Sequence, residues 1–191
     1  MGQDVQHDWA IPLATMHGLI NLLEEEWQAT LDQDCCKQVA SIGAYSIIAF
    51  CGSFRGAEVF LTDLAGLRKY LEETIAEGWD HVVIPLLGKF KGELHSRYHL
   101  APMALETASG LQRQRWVDRL VSVREKEGRV QGLAFCDRQG GTAQSHLYEA
   151  HIMERLVRVQ SLIPGAIPAD LDVYEQFGIS RSFRRGTTLT A

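Results

Sequence analysis

Residues 37–53 are apolar nearly all the way round, and their longest apolar stretch, around Val39 to Cys51, is interrupted by Ser41, Gly43 and Ser46. A helix of that composition has no face suited to water, so it has to sit inside a larger helical assembly. The stretch is too short and too mixed to cross a bilayer. With 191 residues, 46% of them hydrophobic and 23% charged, the chain is large enough to bury such a helix without metal or disulfide staples. The residues after Met1 include Gln3, Asp4 and Asp8 in place of a basic and then apolar leader, so no signal peptide is expected.

Other segments supply the cover. Leu13, Met16, Leu19, Ile20, Leu23 and Trp27 recur at helical spacing, with Pro12 suited to the first turn. Leu64, Leu67, Leu71 and Ile75 form one face of a helix expected over 63–77, stopped by Gly78. The texture then turns extended: 81–87 reads as a strand with Pro85 at an edge, 88–92 as a turn, and 97–103 as a second strand. Helical spacing returns at 109–126 (Leu111, Trp116, Leu120, Val123), where Gly128 stops it. Residues 130–135 read as short and extended. Tyr148, Ile152, Leu156, Val159 and Ile163 mark a long amphipathic helix, and Pro164 and Pro168 close it. The expected fold class is mostly α (α+β): one helical domain over 1–191 with a small antiparallel β-hairpin or sheet near its middle.

Charge is unevenly placed. Asp4, Asp8, Glu24, Glu25, Glu26, Asp32 and Asp34 fall in the first 34 residues, and all 19 Lys and Arg come later. The Glu24–Glu26 run reads as the solvated face of the first helix; Arg113, Arg115 and Arg119 read as a solvated face of the helix from 109, interleaved with Asp118 and Glu125, with contact to nucleic-acid phosphates as the alternative. The cysteines Cys35, Cys36, Cys51 and Cys136 contain no CxxC pair, which argues against a disulfide framework or zinc ribbon and for a reducing, intracellular setting. His95 with His99 and His146 with His151 lack matching ligands, so no metal is expected.

Three basic signals stand at wide spacing: Gly52-Ser53-Phe54-Arg55-Gly56-Ala57-Glu58, Gly88-Lys89-Phe90-Lys91-Gly92-Glu93, and Gly178 to Thr188 with Arg181, Arg184 and Arg185. Each has a plain reading as well. Arg55 can pair with Glu58 on a helix surface, turn lysines are routinely solvated, and the three late arginines can be a solvated helix end. Together they suit a phosphodiester in a pentacoordinate transition state. Two arginines can clamp its oxygens bidentately, and a lysine can protonate the leaving oxygen.

In order and spacing these segments resemble the tyrosine recombinase (phage integrase) family. Gly52, Arg55 and Glu58 match its Gly-x-x-Arg-x-x-Glu motif. Arg181-Ser182-Phe183-Arg184-Arg185-Gly186 matches its His-x-x-Arg motif, with arginine in the place of histidine, and the hairpin between supplies Lys91, or Lys89. The resemblance runs from about residue 12 to 191, and its wording is nearest to recombinase-like proteins of eukaryotic mobile elements. It implies DNA recombination or integration through a phosphotyrosine, without metal or nucleotide cofactor. Arg55 and Arg184 would clamp the phosphate in one cleft, with Glu58 buried and orienting its neighbours. Lys91 would be the general acid, and Arg181 would stand in for an imidazole without acting as a base. Double-stranded DNA is the implied partner, with homo-oligomers on DNA and no membrane. The setting would be the nucleus in a eukaryote, or the cytoplasm and nucleoid in a bacterium. All five tyrosines precede Arg184, so the expectation is a catalytic core incomplete at its C-terminus and without its nucleophile, Tyr174 packing under a loop. The alternatives are a non-catalytic DNA-binding or regulatory relic on the same fold and a helical protein-interaction domain.

Overall fold

The computed structural model describes residues 9–88, 95, 97–137 and 139–190. Its elements run α1 (Leu13–Ala29), α2 (Gln33–Cys51), α3 (Gly56–Val59), α4 (Leu64–Glu77), β1 (His81–Gly88), β2 (Arg97–Ala104), α5 (Arg113–Lys126), α6 (Ser145–Leu162), α7 (Val173–Gln176) and α8 (Ser182–Thr190). The class is α+β, mostly helical, with a two-stranded antiparallel sheet. Among the described residues no helix is long and apolar enough to cross a membrane.

Asp32 starts α2 by accepting the Cys35 N–H at 2.7 Å, the side-chain cap that a helix entry needs. From Val39 to Phe50 every residue of α2 is buried. Helices α1, α3, α5, α6 and α8 all pack on it. The closest approach comes at Gly43, where a Cβ would collide with the six-membered ring of Trp116. The missing side chain lets α5 press its largest residue flat against α2. Leu111, Trp116 and Leu120 are core, as their spacing implies.

The hairpin pairs His81 with Ala104 through to Gly88 with Arg97. Pro85 sits in β1 opposite Leu100. The outer edge of β1 is covered by the 61–63 segment: Asp63 N–H donates to the Pro85 carbonyl and Leu87 N–H to the Leu61 carbonyl. Residues 130–135 do not form the extended run expected. Gly132 takes φ +90°, and the segment meets Thr62–Leu64 only through single backbone bonds. Gly78 ends α4 in the left-handed region, φ +66°, as its position implied. Ile75 is exposed. The inward position at that turn belongs to Thr74, whose hydroxyl donates to the Tyr70 and His81 carbonyls.

The acidic run of α1 is the main departure from the sequence reading. Glu24 is not solvated: it accepts both terminal nitrogens of Arg119 at 2.6 and 2.7 Å. Glu26 pairs with Arg155 at 2.7 Å and with Arg158. The Arg119 side chain is 12% exposed, and its guanidinium lies between the rings of Trp27 and Trp116, 4.8 and 4.6 Å from their centroids. It is part of the α1–α5 contact, so the solvated-face reading fails for Arg119. Two indole faces and a bidentate carboxylate satisfy the cation in a place where water is scarce.

Arg119→Ala should therefore cost about 2–3 kcal/mol, since it strands Glu24 and opens a gap between two indoles. Arg119→Lys should recover little, because an ammonium cannot stack flat between two rings. The hydrogen bonds from Arg119 hold the Glu24 carboxyl below its usual 4.5. A carboxyl with a depressed folded-state pKa contributes stability above its unfolded value and loses it as pH falls through the folded one. Urea unfolding should show stability falling below about pH 4.5, with a shallower fall in Glu24→Gln.

Candidate functional site

The first arginine motif begins where α2 ends. Phe54 N–H donates to the Ala49 carbonyl at 3.2 Å, and Ser53 turns the chain in the left-handed region, φ +54°. A non-glycine residue there is uncommon, and such strain gathers at sites that over-determine it. The turn delivers Arg55 to the start of α3. Glu58 then holds Arg55 twice: Oε2 accepts its backbone N–H at 2.8 Å and Oε1 its Nη1 at 3.0 Å. The Glu58 side chain is mostly buried and that of Arg55 is half-exposed. The remaining guanidinium N–H groups of Arg55 have no partner among the described residues.

The second motif is set by Ser182 and Phe183. Ser182 is fully buried, and its Oγ accepts the Gly178 N–H at 2.9 Å. Its backbone carbonyl accepts the Ile11 N–H at 3.0 Å. Phe183 is also fully buried, edge-on to Tyr45 at 6.2 Å. With those two turned inward, Arg181, Arg184 and Arg185 lie on the exposed side of α8 and the turn before it. This is the amphipathic split of a short surface helix.

The two motifs touch. Gly56 N–H donates to the Ser180 carbonyl at 3.2 Å. A Cβ at Gly56 would lie 3.0 Å from the Ile179 carbonyl oxygen and 3.2 Å from Ser180 Cα, and would strike Tyr45 Oη. Arg55 and Arg181 each stand one residue from that hydrogen bond, and Arg184 follows within the next turn. Lys89 and Lys91 lie outside the described residues. A cavity of about 330 Å³ borders the junction, its wall formed by Tyr45, Phe60, Ala143, Glu149, Ile179 and Ser180. Glu149 Oε1 accepts the Ile179 N–H at 3.3 Å.

The tyrosines differ sharply. Burial pushes the hydroxyls of Tyr45 and Tyr148 well above the usual phenol value. Tyr98 is pushed up to about 12, by burial and then by its hydrogen bond to Asp63. These phenols are held protonated and are poor nucleophiles. Tyr174 is 63% exposed, so it does not pack under a loop. Asp172 caps α7 through the Tyr174 and Glu175 backbone N–H groups and leaves the ring outside. Among the described residues no group of three or more His, Cys, Asp or Glu side chains converges. The arrangement brings the half-exposed Arg55 guanidinium and the exposed Arg181, Arg184 and Arg185 to one part of the surface, and guanidinium groups are the side chains that best bind an anion.

Sequence reasoning did not single out Tyr45, Glu149 or Ser180. Their part is to join the two motifs, and nothing in local spacing marks a residue for that. Tyr45 Oη is buried with no partner among the described residues. Gly56→Ala should lower stability by about 2 kcal/mol, because its methyl meets Tyr45 Oη and the 179–180 backbone. Tyr45→Phe alone should be near neutral, as it deletes a hydroxyl that bonds to nothing. In the double variant it should return part of the loss, which a double-mutant cycle in urea would measure.

Comparison of the sequence with protein-family models and with curated proteins finds no match to either.

Proposed function

We propose that this chain is the DNA-binding catalytic core of a tyrosine recombinase-like protein, built on that family's fold. Arg55 and Arg184 clamp one backbone phosphate, Arg181 adds charge in the place of a motif histidine, and Lys91 is the general acid for the leaving 5′ oxygen. The observation that carries this reading is the Gly56 to Ser180 hydrogen bond. It joins two arginine motifs that are far apart in the sequence, and one phosphate can meet both only if their backbones are neighbours. The bond from Glu58 supports it further, since a guanidinium held at one edge presents its other edge in a fixed direction. Charge placement is compatible as well. Glu24 and Glu26 are neutralised internally by Arg119, Arg155 and Arg158, so the acidic opening of the chain repels a duplex less than its sequence suggests. The setting is intracellular, with double-stranded DNA as the partner.

Duplex binding should be weak and phosphate-driven, with affinity falling as a power of salt concentration. Arg55→Ala and Arg184→Ala should each weaken it and lower the magnitude of the salt slope by about 1. Fluorescence anisotropy at two or more salt concentrations reads both quantities. Binding that ignores salt and both substitutions would overturn the reading in favour of a helical protein-interaction domain. The 191-residue chain mixed with a nicked suicide duplex should give no covalent adduct on a denaturing gel, because no tyrosine follows Arg184 and covalent catalysis needs an oxygen held in line. A tyrosine delivered by another subunit is the route compatible with that result. An adduct abolished by Tyr174→Phe would make Tyr174 the nucleophile.

A further inference from the structure

The cavity of about 330 Å³ beside the arginine junction carries a charge that a phosphate clamp does not use. Among the described residues that line it, Glu149 is the one charged side chain, and no Lys, Arg or His stands in the wall. Glu149 is partly buried. Its Oε1 accepts the Ile179 N–H at 3.3 Å, and its Oε2 has no partner among the described residues. Arg55, which adjoins the cavity through Gly56, is paired with Glu58 and not with Glu149. Carboxylates set into a protein wall are ordinarily matched by countercharge. The cavity therefore holds one negative charge in excess.

The second unmatched group is Tyr45 Oη. Tyr45 is fully buried, and its hydroxyl has no partner among the described residues. The oxygen lies against the Gly56 wall of the cavity, where a Cβ would strike it. Burial, and after it the negative charge of Glu149, hold this phenol protonated, so the field of the carboxylate reaches the hydroxyl. A phenol that keeps its proton still offers lone pairs to a donor. Thr142, Ser145 and Ser180 supply the other side-chain oxygens, all three residues exposed. Every polar side chain of the lining can thus accept a hydrogen bond, and none is a fixed cation. The rings of Tyr45 and Phe60, 5.2 Å apart, and Leu61 make up an aromatic and apolar side.

We propose that this cavity binds a small primary ammonium ion, its N–H groups bonded to Glu149 Oε2 and Tyr45 Oη and its short carbon chain against Phe60 and Leu61. An ammonium carries three donors and no acceptor, which is the complement of a wall made of acceptors. Aromatic faces add attraction for a cation. The volume lies at the low end of ordinary ligand pockets, about 300–1,000 Å³, so the ligand has only a few carbons. A single positive charge matches the excess; the second ammonium of a diamine would find no countercharge in the wall. The site does not depend on the chain binding DNA.

Butylammonium is the probe, with butan-1-ol as its uncharged counterpart and butyrate as the opposite charge, all at constant ionic strength and pH 7 on the full 191-residue chain. Butylammonium should raise the thermal midpoint saturably, with half-saturation at about 1–10 mM as suits a five-atom ligand. Amide resonances should shift at Gly56 and at Ser145. Butan-1-ol should bind at least about fivefold more weakly, and butyrate should leave those resonances in place. Glu149→Gln keeps an acceptor for the Ile179 N–H and removes the charge; it should weaken butylammonium at least about tenfold, to the level of the alcohol. Ala57→Leu, at an exposed position of the lining, fills the cavity from its open side and should weaken both ligands without loss of the fold. An equal response to butylammonium and butan-1-ol, resonance shifts with butyrate, or an unchanged butylammonium response in either variant would each overturn the proposal.

Discussion

Between Val39 and Phe50 every residue of α2 is buried, so the helix needs cover around nearly its whole circumference. A helix in the usual amphipathic state needs one neighbour; this one needs several. That demand explains the order of the chain. α1 leads in, α5 lies flat on the Gly43 face through Trp116, α6 and α8 close the rest, and the hairpin packs outside through α3 and α4. It also explains why the polar atoms within α2 matter. Ser41 receives a donor from Arg124, whereas Ser46 Oγ and Tyr45 Oη are buried with no partner among the described residues. Unpaired hydroxyls are unfavourable in isolation, and α2 tolerates them because the surrounding apolar burial is extensive.

The second constraint is ionic. Arg119, Arg124 and Arg155 each place a guanidinium in or near the interior, and each takes a carboxylate from another element or the next turn. Apolar residues alone would let α1 slide along α5 and α6 at little cost. Glu24 with Arg119 and Glu26 with Arg155 mark two separate points on α1, and a slide by one turn would break both pairs while they are desolvated. Such pairs add modestly to stability and more to register.

Helices were legible in the sequence because their apolar spacing is local: α1, α4, α5 and α6 follow from positions three and four apart. The stop at Gly78 is local too. The ion pairs were not legible. Glu24 and Arg119 are 95 positions apart and Glu26 and Arg155 are 129 apart, and a run of three glutamates reads as surface until its partners are known. Ile75 kept the helical spacing yet faces out, because Thr74 satisfies two carbonyls on the inward side. At the arginine junction, order and wording were readable. The Gly56 to Ser180 bond was not, since it depends on how α8 seats against α2.

Both ends of α2 carry consequences for chemistry. At its C-terminus, the left-handed Ser53 fixes the direction in which Arg55 leaves the helix. Nearer its N-terminus, Lys37 and Ser41 line a polar cavity and meet Glu127 and Arg124. Gly43 lies between, with the Trp116 ring against its backbone. A close-packed contact of this kind transmits displacement instead of absorbing it. An axial movement of α2 would therefore shift the Arg55 turn and the Ser41–Arg124 contact together. The glycine that lets α5 approach is thus also the point that keeps the two polar regions of the helix in fixed relation.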